Sequence, residues 1–134
     1  MAIQQKRILN TSKIMEITSI YVSTPINGRS EKTRQAKMEA AGKRMEELRQ
    51  MLQKEYPQAR IVVPFDVVPP KDDITEAVAL GRCITALLEC DAAYFDDMLN
   101  VRSSGSRLEN HAAHIYGKTV MNELKWMKTH FKRL

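Results

Sequence analysis

Four short apolar runs, separated by much longer stretches of helical period, constrain this chain more than any other feature. The first, "TSIYVST" at residues 18–24, is β-branched and aromatic and stops at Pro25, as a buried strand should. After the turn "PINGR" a helix is predicted from Ser30 to Glu55, with Met38, Ala41, Met45, Leu48 and Leu52 as its apolar stripe. Tyr56-Pro57 closes it. "RIVVP" at 60–64 is a second strand, apolar on both faces, and the prolines of "FDVVPPKDD" make the next segment a loop. A second helix is expected near Asp73, where Asp73 and Glu76 resemble a capping box, with a core stripe of Ile74, Ala77, Val78, Gly81, Ile84 and Leu88. "DAAYF" at 91–95 is the third strand, a helix follows to Tyr116 and stops at Gly117, and "KTVMN" at 118–122 is the fourth strand.

Strands that alternate with helices, joined by right-handed crossovers, place a parallel sheet between two helical layers. The expected fold is therefore an α/β three-layer sandwich. Its mainly parallel sheet has four to five strands in the flavodoxin-like order 2-1-3-4. A length of 134 residues suits one domain, read as residues 17–134 with a basic tail, preceded by an extension over 1–16.

The net charge of +5 is concentrated toward the ends, in Lys6, Arg7 and Lys13 and in Lys125, Lys128, Lys132 and Arg133. Aromatic residues are not interleaved with that charge as a nucleic-acid stacking groove requires, so solvated termini are the preferred reading over nucleic-acid binding. No apolar run reaches membrane-span length and no signal-peptide pattern opens the chain, so a cytoplasmic protein is expected, with no membrane partner. Cys83 and Cys90 share a helical face and read as two buried thiols of a reducing compartment. His111 and His114 stand one turn apart without a third ligand, which gives no metal site. No cofactor is expected. Trp126, Met127 and Phe131 put apolar surface among the lysines of the tail, which points to a homo-oligomer.

In the order 2-1-3-4 the connections diverge between the first and third strands, and ligands of open parallel sheets bind beyond the carboxyl ends there. Two segments converge on that point, "STPINGRS" and "DDMLNVRSSGSRLE". Glu109 lies in the second of them and has two readings. Ser106 and Glu109 form an S-x-x-E capping box, in which the glutamate turns back to the serine N–H. Alternatively its carboxylate faces a ligand, as loop acids at functional sites often do.

"IYVSTPING", "LLECDAAYF" and "SGSRLENHAA", in this order and spacing, resemble the nucleoside 2-deoxyribosyltransferase-like superfamily, and most closely its short phage and bacterial branch. The resemblance spans residues 18–121. It implies that Glu109, four residues after Gly105, is a nucleophile that attacks the anomeric carbon, expels the base and forms a glycosyl ester. Asp96 and Asp97 become the candidate acids that protonate the leaving base. Ser23, Thr24, Pro25, Ile26, Asn27 and Gly28 would line the substrate site. Ser103, Ser104, Gly105 and Ser106, at a helix N-terminus, would cradle a 5′-phosphate, with Arg102 or Arg107 as reinforcement. The sequence departs from the pattern at Thr24, Cys83 and Asn100, where the branch commonly has glycine, aspartate and tryptophan. The expected function is an N-glycoside transferase or hydrolase acting on (deoxy)nucleosides or nucleoside 5′-monophosphates. The alternatives are a nucleotide-binding module of the same fold without turnover and, third, a basic nucleic-acid-associated protein.

Overall fold

The computed structural model describes residues 17–24, 33–96 and 104–122. Along the chain run β1 (Ser19–Ser23), α1 (Arg34–Glu55), β2 (Arg60–Val62), α2 (Pro64–Val67), α3 (Glu76–Leu88), β3 (Ala92–Phe95), α4 (Ser104–Ile115) and β4 (Thr119–Asn122). The strands form one all-parallel sheet in the order β2-β1-β3-β4. That is the expected α/β architecture and the expected order.

Alternation along β1 divides the core in two. Ile20 and Val22 face the α1 layer, where Ala41, Met45, Leu48 and Leu52 pack against them together with Ile61, Val63, Ala92 and Tyr94. Tyr21 faces the opposite way and joins Val62, Ala93 and Phe95 beneath Leu87, Cys90 and Ala113 of the α3–α4 layer. The stripe read along the first helix is thus the buried one, with Met38 half-buried at its start.

Several boundaries differ from the sequence reading, each for a local reason. The first helix starts at Arg34 rather than Ser30, because Thr33 is extended and its hydroxyl accepts from the Ala36 N–H at 3.1 Å. The second strand ends at Val62. Val63 and Asp66 then build one helical turn where only a loop was expected: the Val63 N–H donates to Asp66 Oδ2 at 3.1 Å, and Pro64 takes the first helical position. α3 begins at Glu76 rather than near Asp73, since Thr75 is the residue whose hydroxyl accepts from the Val78 N–H at 3.2 Å. Asp91 lies outside β3 and instead accepts from the Thr18 N–H at 2.9 Å and the Thr18 hydroxyl at 2.6 Å.

The rotation of α3 also differs from the expected stripe. Ala77, Val78 and Gly81 are exposed, Ile84 and Leu88 are half-buried, and the buried residue is Leu87. Apolar residues occur on nearly every side of this helix, so their spacing did not single out one inward face.

The edge of the sheet at β2 is closed by side chains. The Arg60 N–H donates to the Thr18 carbonyl at 2.9 Å, so Arg60 turns its peptide groups toward β1 while Ala59 and Ile61 turn theirs outward. Gln53 Nε2 donates to the Ala59 carbonyl at 2.9 Å and Arg49 Nη1 to the Ile61 carbonyl at 3.1 Å. Arg49 is held in place by a fork onto Asp66, at 3.0 and 3.1 Å. A bare edge would offer those carbonyls to another strand. No helix of the described residues is long and apolar enough to cross a membrane.

Candidate functional site

Ser23 ends β1 and pairs in register with Phe95, the last residue of β3, so both carboxyl ends open on the same side of the sheet. The Asp96 N–H continues the ladder to the Ser23 carbonyl at 2.9 Å. These two strands are the point at which the connections diverge. α4 brings Glu109 and Ser106 to the same place. Ser23 Oγ lies 3.1 Å from Glu109 Oε1 and 3.1 Å from Ser106 Oγ, so its single proton can serve one of them while its oxygen accepts from the serine.

The capping-box reading of Ser106 and Glu109 is overturned. α4 starts at Ser104, which puts Ser106 inside the helix and leaves Glu109 more than a turn beyond its start. At its other end the helix closes as the sequence indicated. Gly117 has φ of +67°, the Gly117 N–H donates to the His114 carbonyl at 3.3 Å, and the Lys118 N–H donates to the Ala113 carbonyl at 2.8 Å. This double closure turns the chain directly into β4.

Glu109 is 6% exposed and Ser23 1%. Glu109 Oε2 and the Tyr21 hydroxyl are both buried without a hydrogen-bond partner among the described residues. Burial pushes the Glu109 carboxyl up to about 7, opposed by the Tyr21 and Ser23 hydroxyls. Tyr21 stands near enough to favour the charged form without reaching hydrogen-bond geometry. The Tyr21 phenol is itself held well above its ordinary range, first by burial and then by the charge of Glu109. Cys83 completes the group from α3, its thiol pushed up by burial despite the nearby Tyr21 hydroxyl. Unpartnered buried polar atoms cost stability, and their concentration around one carboxyl is the mark of a site kept for a ligand or for chemistry.

A second cluster lies beside the first. Asp96 accepts a fork from Arg44 of α1, with Nε to Oδ2 at 3.1 Å and Nη2 to Oδ1 at 2.9 Å, and Thr24 Oγ1 donates to Oδ2 at 3.0 Å. A two-pronged guanidinium contact fixes the plane of a carboxylate as well as its place. The Arg44 guanidinium is held further in its charged form by the same contact.

Of the residues expected at the site, Ser23, Ser106 and Glu109 are thus brought together, with Thr24 and Asp96 adjoining them. Gly105 lies half-buried in the first turn of α4, and Ser104 opens that helix. Pro25, Ile26, Asn27, Gly28, Asp97 and Ser103 lie outside the described residues, as do Arg102, Asn100 and the aromatic tail. Arg107, His111 and His114 are exposed on α4. Sequence reasoning missed Tyr21 and Arg44. Tyr21 was within reach, because it lies two residues before Ser23 and so shares its face of β1. Arg44 was not, because only the packing of α1 on the sheet brings it to Asp96.

The chain matches no known protein-family model and no characterised protein in sequence.

Proposed function

We propose that this protein is an N-glycoside transferase or hydrolase acting on (deoxy)nucleosides or nucleoside 5′-monophosphates, with Glu109 as its nucleophile. The observation that carries this reading is the Glu109 carboxyl, buried at the carboxyl end of β1 with one oxygen held by Ser23 and the other without a described partner. The resemblance of "IYVSTPING" and "SGSRLENHAA" to the nucleoside 2-deoxyribosyltransferase-like superfamily supplies the substrate class.

In this mechanism Glu109 Oε2, ionised, attacks the anomeric carbon. A carbon–oxygen bond forms as the carbon–nitrogen bond breaks, and the base leaves with its electron pair and takes a proton. Water or a second base then opens the ester and returns the carboxylate. Ser23 orients the carboxyl through Oε1, leaving Oε2 to react. The Tyr21 hydroxyl favours the charge that attack requires. Both oxygens of Asp96 accept from Arg44, which suits a positioning group better than a proton donor, and Asp97, the other acid the resemblance offers, lies outside the described residues.

That same fork favours a second reading, a nucleotide-binding module of this fold without turnover. Incubating the protein with a panel of nucleosides and 5′-monophosphates and following free base by chromatography separates the two. Base release by the wild type but not by Glu109→Gln supports the enzyme. Binding by both without base release supports the module, and full turnover by Glu109→Gln removes Glu109 as nucleophile.

A further inference from the structure

The outward face of α3 has no described neighbour to cover it. Val78 is 47% exposed, and a side chain built at Gly81 would meet nothing within 4 Å. Beside this face runs a groove of about 840 Å³, walled by α3 on one side and by β2 and α2 on the other, and Glu109 is not among its lining residues. Its apolar lining comes from Ile61, Val62, Val67, Val78 and Ala86.

Two charges on the α3 wall point to its occupant. Arg82 and Glu89 both line the groove, two turns apart on one face, with opposite signs. Neither side chain has a hydrogen-bond or ion-pair partner among the described residues. Between them lie Thr85 and Ala86, small enough to let another backbone come close. Were a second α3 laid antiparallel across a two-fold axis between Thr85 and Ala86, each Arg82 would meet the partner's Glu89, and each Glu89 the partner's Arg82. A surface that complements itself in this way is the signature of an isologous pair. A purely acidic or purely basic partner would leave one of the two charges opposed by its like. Pairing through the edge of β2 is disfavoured because Gln53 and Arg49 already occupy its outward carbonyls.

We infer that a second copy of this chain docks in this groove, α3 against α3, through reciprocal Arg82–Glu89 contacts. The surface is independent of the proposed reaction and stands or falls separately from it. Sedimentation velocity across the micromolar range, with circular dichroism to verify folding, tests it. The wild type sediments as a dimer. Arg82→Glu and Glu89→Arg each place two like-charge pairs in the interface and weaken dimerisation by at least about tenfold. Both positions are exposed, so both variants keep the wild-type spectrum. An equimolar mixture of the two variants recovers the dimer, because the mixed pair sets opposite charges together at both crossings. A monomeric wild type, a dimer indifferent to both substitutions, or a mixture that stays monomeric overturns the assignment.

Discussion

Glu109 shows how a single residue carries a cost that its neighbours do not remove. Its carboxyl sits at about 7 because burial disfavours the charged form more than Tyr21 and Ser23 restore it. The folded state therefore holds this proton more tightly than the unfolded chain, whose glutamate titrates near 4.5. Stability falls as pH rises from about 4.5 to about 7 and changes no further above that range, a loss of roughly 3 kcal/mol in all. Glu109→Gln carries no such charge. Urea unfolding should show the variant equal to the wild type at pH 4 and more stable by up to about 3 kcal/mol at pH 8, while base release is lost. For the wild type, kcat/KM of base release should climb with pH to a plateau, with its midpoint near 7, because attack needs the ionised carboxyl. Tyr21→Phe removes a buried hydroxyl without a described partner. Below about pH 4.5, where Glu109 is protonated in both states, it should hold or raise stability, by up to about 1–2 kcal/mol, and it should move that midpoint upward. A midpoint that stays in place would show that Tyr21 does not act on Glu109.

At the scale of the element, threonine hydroxyls fix two helix starts and a glycine fixes one helix end. Thr33→Ala and Thr75→Ala should each cost about 1 kcal/mol in thermal or urea unfolding, because each leaves a helix N–H unpaired. Gly117→Ala should cost about as much, since φ of +67° strains any residue with a Cβ even where the space is open. Both effects are local to the helix termini and should leave base release intact. Arg49 works at the margin of the sheet. It joins α1 to the Ile61 carbonyl and to Asp66, whose carboxyl those contacts hold below the usual carboxylate range against the opposing effect of burial. Arg49→Met keeps the packing length of the side chain but uncovers an outward carbonyl. Light scattering should then show faster aggregation on heating than for the wild type.

For the molecule as a whole, the shifted carboxyls oppose one another. Asp66 is held low by Arg49 and by the Val63 N–H, and Asp91 by the Thr18 hydroxyl and N–H. Both stabilise the fold above the ordinary carboxylate range and lose that contribution as the pH falls through their lowered folded values. Glu109 acts in the other direction, destabilising progressively from about 4.5 to about 7. The melting temperature should therefore peak near pH 4.5 rather than at neutrality. Calorimetry from pH 3 to 9 checks this, and Glu109→Gln should turn the peak into a plateau. A wild-type curve still rising through pH 7 would contradict the assignment of a neutral, buried Glu109.

Strand order and layering were legible because they rest on local signals: β-branched runs of the right length, a clear stripe on α1, and crossovers that leave few topologies. Ser23, Ser106 and Glu109 could be nominated for the same reason, since an order of 2-1-3-4 brings the ends of β1 and β3 together whatever the side chains. For Ser106 and Glu109 the sequence left two readings open, and the start of α4 at Ser104 excludes the capping one. The rotation of α3 could not be read at all, because a helix apolar on most sides buries whichever face its neighbours offer. The Arg44 fork on Asp96 and the burial of Glu109 Oε2 without a partner among the described residues belong to tertiary structure alone. They depend on distances between elements far apart in the chain and on the exclusion of water, and neither is encoded in the spacing of residues along one segment.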